Sequence, residues 1–284
     1  MKQRYLLLSV LLAAAIALFG VYLFMTDLTK DTTAPVITVD EGILEISVED
    51  PGEVLMTGVT ALDDRDGDVT ATMLVESVYG ISDDNVTTVT YAAFDRAGNV
   101  SKIQREVRYT DYREPRFELF HSLCFPKKTG FDLLEYVGAS DVLEGDIRRR
   151  VRATLVSDTR NIDEIGTHVV RFQVTNSMGD TVVEELPVEI YNPEWYTADV
   201  VLDEYLIYLK QGDVFRAADH LRKFVVPGEE IDISRGVPND IYSDIRNNVN
   251  TRVPGVYTVE YTLTKTINQE SFSGRAVLVV IVQE

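Results

Sequence analysis

Ala61-Leu-Asp-Asp-Arg-Asp-Gly-Asp-Val-Thr70 returns in looser form as Ala139-Ser-Asp-Val-Leu-Glu-Gly-Asp-Ile147, and both fit Ala-x-Asp-x-x-x-Gly-Asp-(Val/Ile). An acidic turn with a glycine near its apex, followed at once by a β-branched residue, reads as a loop feeding a strand. On either side of the two copies, Pro35, Pro115 and Pro193 recur about 80 residues apart, a period of complete domains in series rather than of a solenoid. A proline at the start of a strand caps its edge.

Downstream of each acidic turn the copies align more closely. Asn85-Val-Thr-Thr-Val-Thr-Tyr-Ala-Ala-Phe-Asp95, Gly166-Thr-His-Val-Val-Arg-Phe-Gln-Val-Thr-Asn176 and Gly255-Val-Tyr-Thr-Val-Glu-Tyr-Thr-Leu-Thr-Lys265 each place a turn residue before alternating apolar and polar side chains. Tyr91, Phe172 and Tyr261 occupy one position and are expected in the core. Tight turns follow at Asp95–Asn99 and Asn176–Asp180, where Gly98 and Gly179 supply positive φ. Final strands are expected at 103–109, 182–190 and 276–282, and in copy three a longer turn through 268–274 replaces the tight one.

The early halves are looser. Val214, Ala218, Leu221 and Val225 fall on one face at helical spacing, which predicts a short helix in copy three, with an equivalent at Phe131–Val137 and only a turn at Gly52–Thr57. In copy three the acidic repeat is lost, and Gly236-Val-Pro-Asn-Asp240 stands nearest to it. Some seven short strands per period, separated by Gly and Pro turns, predict an all-β chain of antiparallel sandwiches.

Tyr5 to Met25 carries no charge and follows Lys2 and Arg4. At about 1.5 Å per residue it matches a hydrocarbon core of roughly 30 Å. Tyr5 and Tyr22 lie near its ends, where aromatic rings favour the interface. The positive charge before it sets residues 1–4 in the cytoplasm and the rest outside. The competing reading is a cleaved signal peptide; a cut at Ala15-Ile-Ala17 would leave Leu18–Met25 as a new apolar end, so an uncleaved signal anchor is preferred. Residues 26–34 then form a polar spacer before domains at 35–112, 113–191 and 192–284, the last divergent.

Ala34-Pro35 at a domain start, Asp66-Gly-Asp-Val-Thr70 in the middle and Tyr91-Ala-Ala-Phe-Asp-Arg-Ala-Gly-Asn99 before the last strand resemble the bacterial immunoglobulin-like repeat family, cadherin-like in appearance and common in surface proteins. Copy one matches over its whole length. Copy two keeps Ala139, Asp141, Gly145, Asp146 and Gly179 but has Asn176 for the aspartate, and copy three keeps only the strand pattern. The resemblance implies Ig-like β-sandwiches used as stalk or binding module; with the repeat period and the uncharged span, the chain is expected to be three tandem Ig-like β-sandwiches after a single N-terminal transmembrane helix. It implies no reaction.

Asp63, Asp64, Asp66 and Asp68 lie within one short loop, and Asp95 can join them if both loops reach the same end. Clustered carboxylates repel unless screened, and calcium takes six to eight oxygens, so these five residues are the candidate metal set. An EF-hand is excluded, because with Gly67 in sixth place the first and twelfth positions are Leu62 and Met73. The preferred reading is structural: Asp63 and Asp68 recur in copy two and act as Asx-turn residues bonding backbone amides. Calcium is the only cofactor the sequence suggests.

Other features favour plain structural roles. His121, His168 and His220 show no metal-ligand spacing, and His168 is expected to face solvent. The lone cysteine, Cys124, excludes an intrachain disulfide and reads as a buried thiol. Arg148, Arg150 and Arg152 would share one face of a strand, a charged edge that blocks aggregation, with an acidic partner or anionic polymer as the alternative. Trp195 and Tyr196 read as packing at the joint between copies two and three, or as a sugar platform.

The net charge of −19 repels phosphate backbones and disfavours nucleic acid. No nucleophile elbow or phosphate-cradling loop is present, so the chain is not expected to be an enzyme. The function expected is a non-catalytic surface module of a bacterial envelope, a stalk, adhesin or assembly partner working through a protein partner. The alternative is an ectodomain that binds a cell-surface glycan or small ligand for a sensory or enzyme-associated membrane subunit.

Overall fold

The computed structural model describes residues 2–128, 132–156 and 162–284, excluding the side chains of 2–9 and 26–29. The chain divides into two compact units, Met1–Asp111 and Tyr112–Glu284. It opens with an α-helix, α1 (Lys2–Thr29), along which residues 10–25 are exposed. Among the described residues no helix is long and apolar enough to cross a membrane. The side chains of residues 5–9, the start of the expected span, lie outside the described set.

Among the described residues three sandwiches follow, of seven strands each. The first holds β1 (Val36–Val39), β2 (Leu44–Ile46), β3 (Val59–Asp63), β4 (Gly67–Asp68), β5 (Leu74–Tyr79), β6 (Val86–Phe94) and β7 (Val100–Tyr109). The second holds β8 (Arg116–Leu119), β9 (Cys124–Pro126), β10 (Val137–Asp141), β11 (Gly145–Asp146), β12 (Arg152–Leu155), β13 (Gly166–Thr175) and β14 (Thr181–Tyr191). The third holds β15 (Asp199–Leu202), β16 (Leu206–Lys210), β17 (Leu221–Val226), β18 (Glu229–Asp232), β19 (Ile241–Asn247), β20 (Gly255–Ile267) and β21 (Glu270–Gln283).

All three share one topology, a three-stranded sheet facing a four-stranded one. The sheet orders are β1-β3-β4 and β2-β7-β6-β5, then β8-β10-β11 and β9-β14-β13-β12, then β15-β17-β18 and β16-β21-β20-β19. The expectation of three Ig-like sandwiches therefore holds, with one refinement. The second strand of each sandwich runs parallel to the last: β2 with β7, β9 with β14, β16 with β21. A strand that enters one sheet and crosses to the other must meet the last strand in that direction.

Tyr91, Phe172 and Tyr261 are each fully buried at the same register, opposite Val75, Ala153 and Ile245 of the neighbouring edge strand. Tyr91 Oη donates to the Leu55 carbonyl at 2.6 Å and Tyr261 Oη to the Ala217 carbonyl at 2.7 Å, both in a turn that crosses the end of the core. Phe172 has no hydroxyl and packs edge-on against Phe117. Gly98 and Gly179 take φ of 88° and 87°, as the tight turns require.

Several expectations are corrected. The helices of the early halves are single 3₁₀ turns at Gly52–Met56, Leu133–Tyr136 and Ala217–His220. Val214, 86% exposed, leaves the supposed helical face, while Leu221, Phe224 and Val226 enter the core from a β-rich run that prefers a strand. Phe131, the start of the expected equivalent, lies outside the described residues. The long turn of copy three is a two-residue hairpin at Asn268 and Gln269, both with positive φ, so β21 begins at Glu270. Arg148–Arg150 form a 3₁₀ turn rather than a strand face, and only Arg152 lies on the edge strand β12. His168 is buried, because it shares the inward phase of Val170, Phe172 and Val174, and its Nε2 meets the Glu164 carbonyl at 2.8 Å.

The counterpart of the acidic hairpin in copy three is not Gly236–Asp240 but the β17–β18 hairpin upstream. Ile233 N–H donates to the Arg222 carbonyl just as Val69 does to Ala61 and Ile147 to Ala139. Asp68, Asp146 and Asp232 are thus equivalent, each accepting through Oδ1 from the amide two residues on. Those bonds hold all three carboxyls below the ordinary range, the side chains of Thr70 and Ser234 contributing most at Asp68 and Asp232 and the Arg148 amide at Asp146.

Copies two and three do not close wholly separate interiors. Ala276–Val282 is buried throughout. Leu278, Val280 and Val282 enter the third core, while Val279 and Ile281 join the second core together with Leu206. An unbroken apolar run is what a strand buried on both faces requires. Ser122 Oγ accepts from the Val277 amide at 2.7 Å and donates to its carbonyl, occupying backbone groups of β21 just ahead of its pairing with β16. Arg275 binds Glu189 across the same contact and Glu260 within its own sandwich. Gly274 is required because a Cβ there would lie 2.7 Å from the Ala198 carbonyl oxygen.

Candidate functional site

The acidic loop of the first sandwich is built by backbone bonds. Asp63, the last residue of β3, accepts the amides of Arg65 at 2.9 Å and Asp66 at 2.8 Å through Oδ1. This is the Asx-turn role expected of it, and Asp68 plays the same role for Thr70. At Asp63 the bonds turn the carboxylate inward, so that it is only 7% exposed. Its second oxygen, Oδ2, is buried with no hydrogen-bond partner. A buried acceptor left without a donor costs about 1–3 kcal/mol.

Two further carboxylates converge on Asp63. Asp95, buried at the end of β6, accepts from the Asn99 amide through Oδ1 and from Asn99 Nδ2 through Oδ2. Burial pushes its carboxyl upward, but the Asn99 side chain and the amides of Asn99, Gly98 and Ala97 outweigh that and hold it below the ordinary range. Asp31, from the segment between α1 and β1, has a side chain only 10% exposed. One carboxylate oxygen from each of Asp31, Asp63 and Asp95 lies within 4.8 Å of the others. Asn99 Nδ2 also reaches the Asp31 carbonyl at 3.3 Å, and Arg65 Nε stands 3.8 Å from Asp31 Oδ2.

The five residues read from the sequence are thus divided. Asp63 and Asp95 come together. Asp66 lies beside them, its Oδ2 accepting the Arg96 amide. Asp64 and Asp68 are exposed and outside the cluster. Asp31 was missed. The signal available was spacing: Asp31 precedes Pro35 as Asp111 precedes Pro115.

In the second sandwich the same corner is complete in itself. Asp141 Oδ1 accepts the amides of Leu143 and Glu144, matching Asp63. Its Oδ2 accepts from Asn176 Nδ2 at 3.0 Å, and Asn176 stands where Asp95 stands. Asn176 Nδ2 also donates to Tyr112 Oη, which donates to Asp180. In the third sandwich the register places Phe224, fully buried, at the Asp63 position. Lys265 stands at the Asp95 position, paired with Glu229 and Asp240.

The remaining sequence features resolve as follows. Arg148 pairs with Asp146 and lies over the Phe120 ring, and Arg150 forks onto Glu144. A cleft of about 370 Å³ is lined by Arg149, Arg150, Arg152, Gln173 and Thr175. Cys124 is buried, and burial together with Glu189 pushes its thiol up to about 12, which disfavours the nucleophilic thiolate. Trp195 is 55% exposed, whereas Tyr196 packs edge-on against Tyr191.

No family model matches this chain, and no curated protein matches it in sequence. Among solved structures it is similar to the Drosophila N-cadherin EC1-3 fragment, at 12% identity and TM-score 0.28, covering 89% of this chain and 90% of that one. It is also similar to the protocadherin gammaB4 extracellular domain, at 10% identity and TM-score 0.20, covering 88% of this chain. A third likeness is to a Clostridium perfringens ZmpB fragment carrying CBM51-2 in complex with GlcNAc and INT domains, at 15% identity and TM-score 0.22, covering 88% of this chain and 42% of that one. The chain spans 44% of the protocadherin gammaB4 structure.

Proposed function

We propose that this chain is a non-catalytic module of a bacterial envelope, held by α1 as a single-pass anchor with the N-terminus cytoplasmic. Domains at 35–112, 113–191 and 192–284 then stand outside the cell and bind a protein partner. The observation that carries the reading is the set of free strand edges. β5 and β19 each end a four-stranded sheet, with their outer backbone groups unpaired by any described strand. Tyr79 and Tyr242 are exposed on them, each 69% accessible. Soluble proteins usually blunt such edges, and an extended segment of another protein can add to them as a further strand. A net charge of −19 favours a basic partner.

The test places a photo-crosslinking residue at Tyr79 or Tyr242 in living cells, with exposed Val214 as control. Discrete protein adducts at the two tyrosines alone support the reading; the same pattern at Val214, or none at all, overturns it. Protease added to intact cells checks topology. It should remove epitopes beyond residue 34 and spare one at the N-terminus.

A second reading, glycan binding, is favoured by the exposure of Trp195. Trp195 is the only tryptophan, so quenching or enhancement of its fluorescence by envelope glycan fragments reports on this reading directly.

A further inference from the structure

Asp31, Asp63 and Asp95 form a corner whose acceptors outnumber its donors. Three carboxylates offer oxygens within 4.8 Å of one another. Two oxygens bound to one calcium ion are separated by at most about 5 Å, twice the calcium–oxygen distance. Asp63 Oδ2 is buried and lacks a donor. In the second sandwich the matching oxygen of Asp141 has one, because Asn176 replaces the aspartate. The first sandwich thus leaves a bare, buried carboxylate oxygen where the second supplies an amide donor.

We propose that this corner binds one divalent cation of the calcium class through Asp31, Asp63 and Asp95, and that the ion clamps the segment joining α1 to the first sandwich. The donor set is all carboxylate oxygen, which suits a hard cation and excludes a thiolate- or imidazole-seeking metal. Asp31 lies two residues past the end of α1, whereas Asp63 ends strand β3 and Asp95 directly follows β6. An ion shared by all three fixes the tether to the sandwich without any new protein contact. The inference is independent of what the sandwiches bind.

The test is calorimetric titration of the full chain, in detergent, with calcium chloride. One ion per chain is expected, with a dissociation constant on the order of 10⁻⁴–10⁻³ M, the range of extracellular modules. Asp95→Asn, which copies the residue of the second sandwich, and Asp31→Asn should each weaken it at least tenfold. Asp64→Asn, outside the cluster, should leave it unchanged. Circular dichroism confirms that each variant is folded. In parallel, calcium should slow trypsin cleavage after Lys30 about tenfold in the parent chain and not in Asp31→Asn. No binding heat up to 10 mM calcium, or binding unaltered in both cluster variants, overturns the site. Binding with unchanged cleavage at Lys30 overturns the clamp.

Discussion

Asp63 and Asp141 occupy the same corner of successive sandwiches and turn the same loop through Oδ1, but they meet opposite surroundings through Oδ2. Asp141 finds the amide of Asn176, backed by the hydroxyl of Tyr112. Asp63 finds two more carboxylates. The third sandwich abandons the arrangement and fills the place with Phe224. One backbone topology therefore hosts three solutions to the same steric problem: a group of charges, a neutral hydrogen-bonded network and an apolar plug. The loop geometry needs only Oδ1, which leaves the second oxygen and its neighbours free to diverge.

The comparison breaks most sharply if the two corners are made alike. Asn176→Asp removes the donor to Asp141 Oδ2 and sets two buried carboxylates against each other. It should destabilise the second unit by about 3 kcal/mol in metal-free buffer, measured by urea unfolding. Cys124, buried and with a thiol pKa near 12, gives an independent readout, since it should react with a thiol reagent only when that unit opens. Tyr112→Phe withdraws the hydroxyl that joins Asn176 to Asp180 and should cost the same unit about 1–2 kcal/mol by the same titration.

A smaller effect is expected away from the corner. Tyr91→Phe leaves the Leu55 carbonyl without its donor and should cost the first sandwich about 1 kcal/mol, whereas the second sandwich already carries phenylalanine at that place. Thermal melting of the variant checks this.

Acid distinguishes the corners further. The Asp95 carboxyl is held below its ordinary value in the folded chain. Its contribution is thus present above the unfolded value, about pH 4, and is lost as pH falls through the lower folded value. Asn176 does not titrate. In calcium-free buffer, Asp95→Asn should flatten the loss of first-sandwich stability below about pH 4, and an unchanged acid profile contradicts this. Smallest of all, Asp64→Ala should change stability by less than about 0.5 kcal/mol, because its side chain is exposed and outside the cluster.

Much of this was legible in the residues. Alternation over Val86–Phe94 and Gly166–Thr175 placed Tyr91 and Phe172 inside, and the Asx-turn roles of Asp63 and Asp68 followed from an acidic turn with a glycine at its apex. The helical spacing of Val214, Ala218, Leu221 and Val225 misled, since four residues can match a period by chance while Leu221–Val226 has the composition of a strand. His168 is polar, which suggests solvent, but its phase with Val170 turns it inward. The run Ala276–Val282 alternates less than an ordinary last strand does, and its unbroken apolar character fits two buried faces.

By itself, the order of residues determined the repeat, the sandwich class, the tight turns and the loop geometry, because each depends on neighbours within a few positions along the chain. Only the tertiary structure decided that Asp31 joins Asp63 and Asp95, that Asn176 completes Asp141, and that β21 serves two cores. Those outcomes depend on groups separated by tens of residues, whose distances and unpaired oxygens exist only once the sheets have closed.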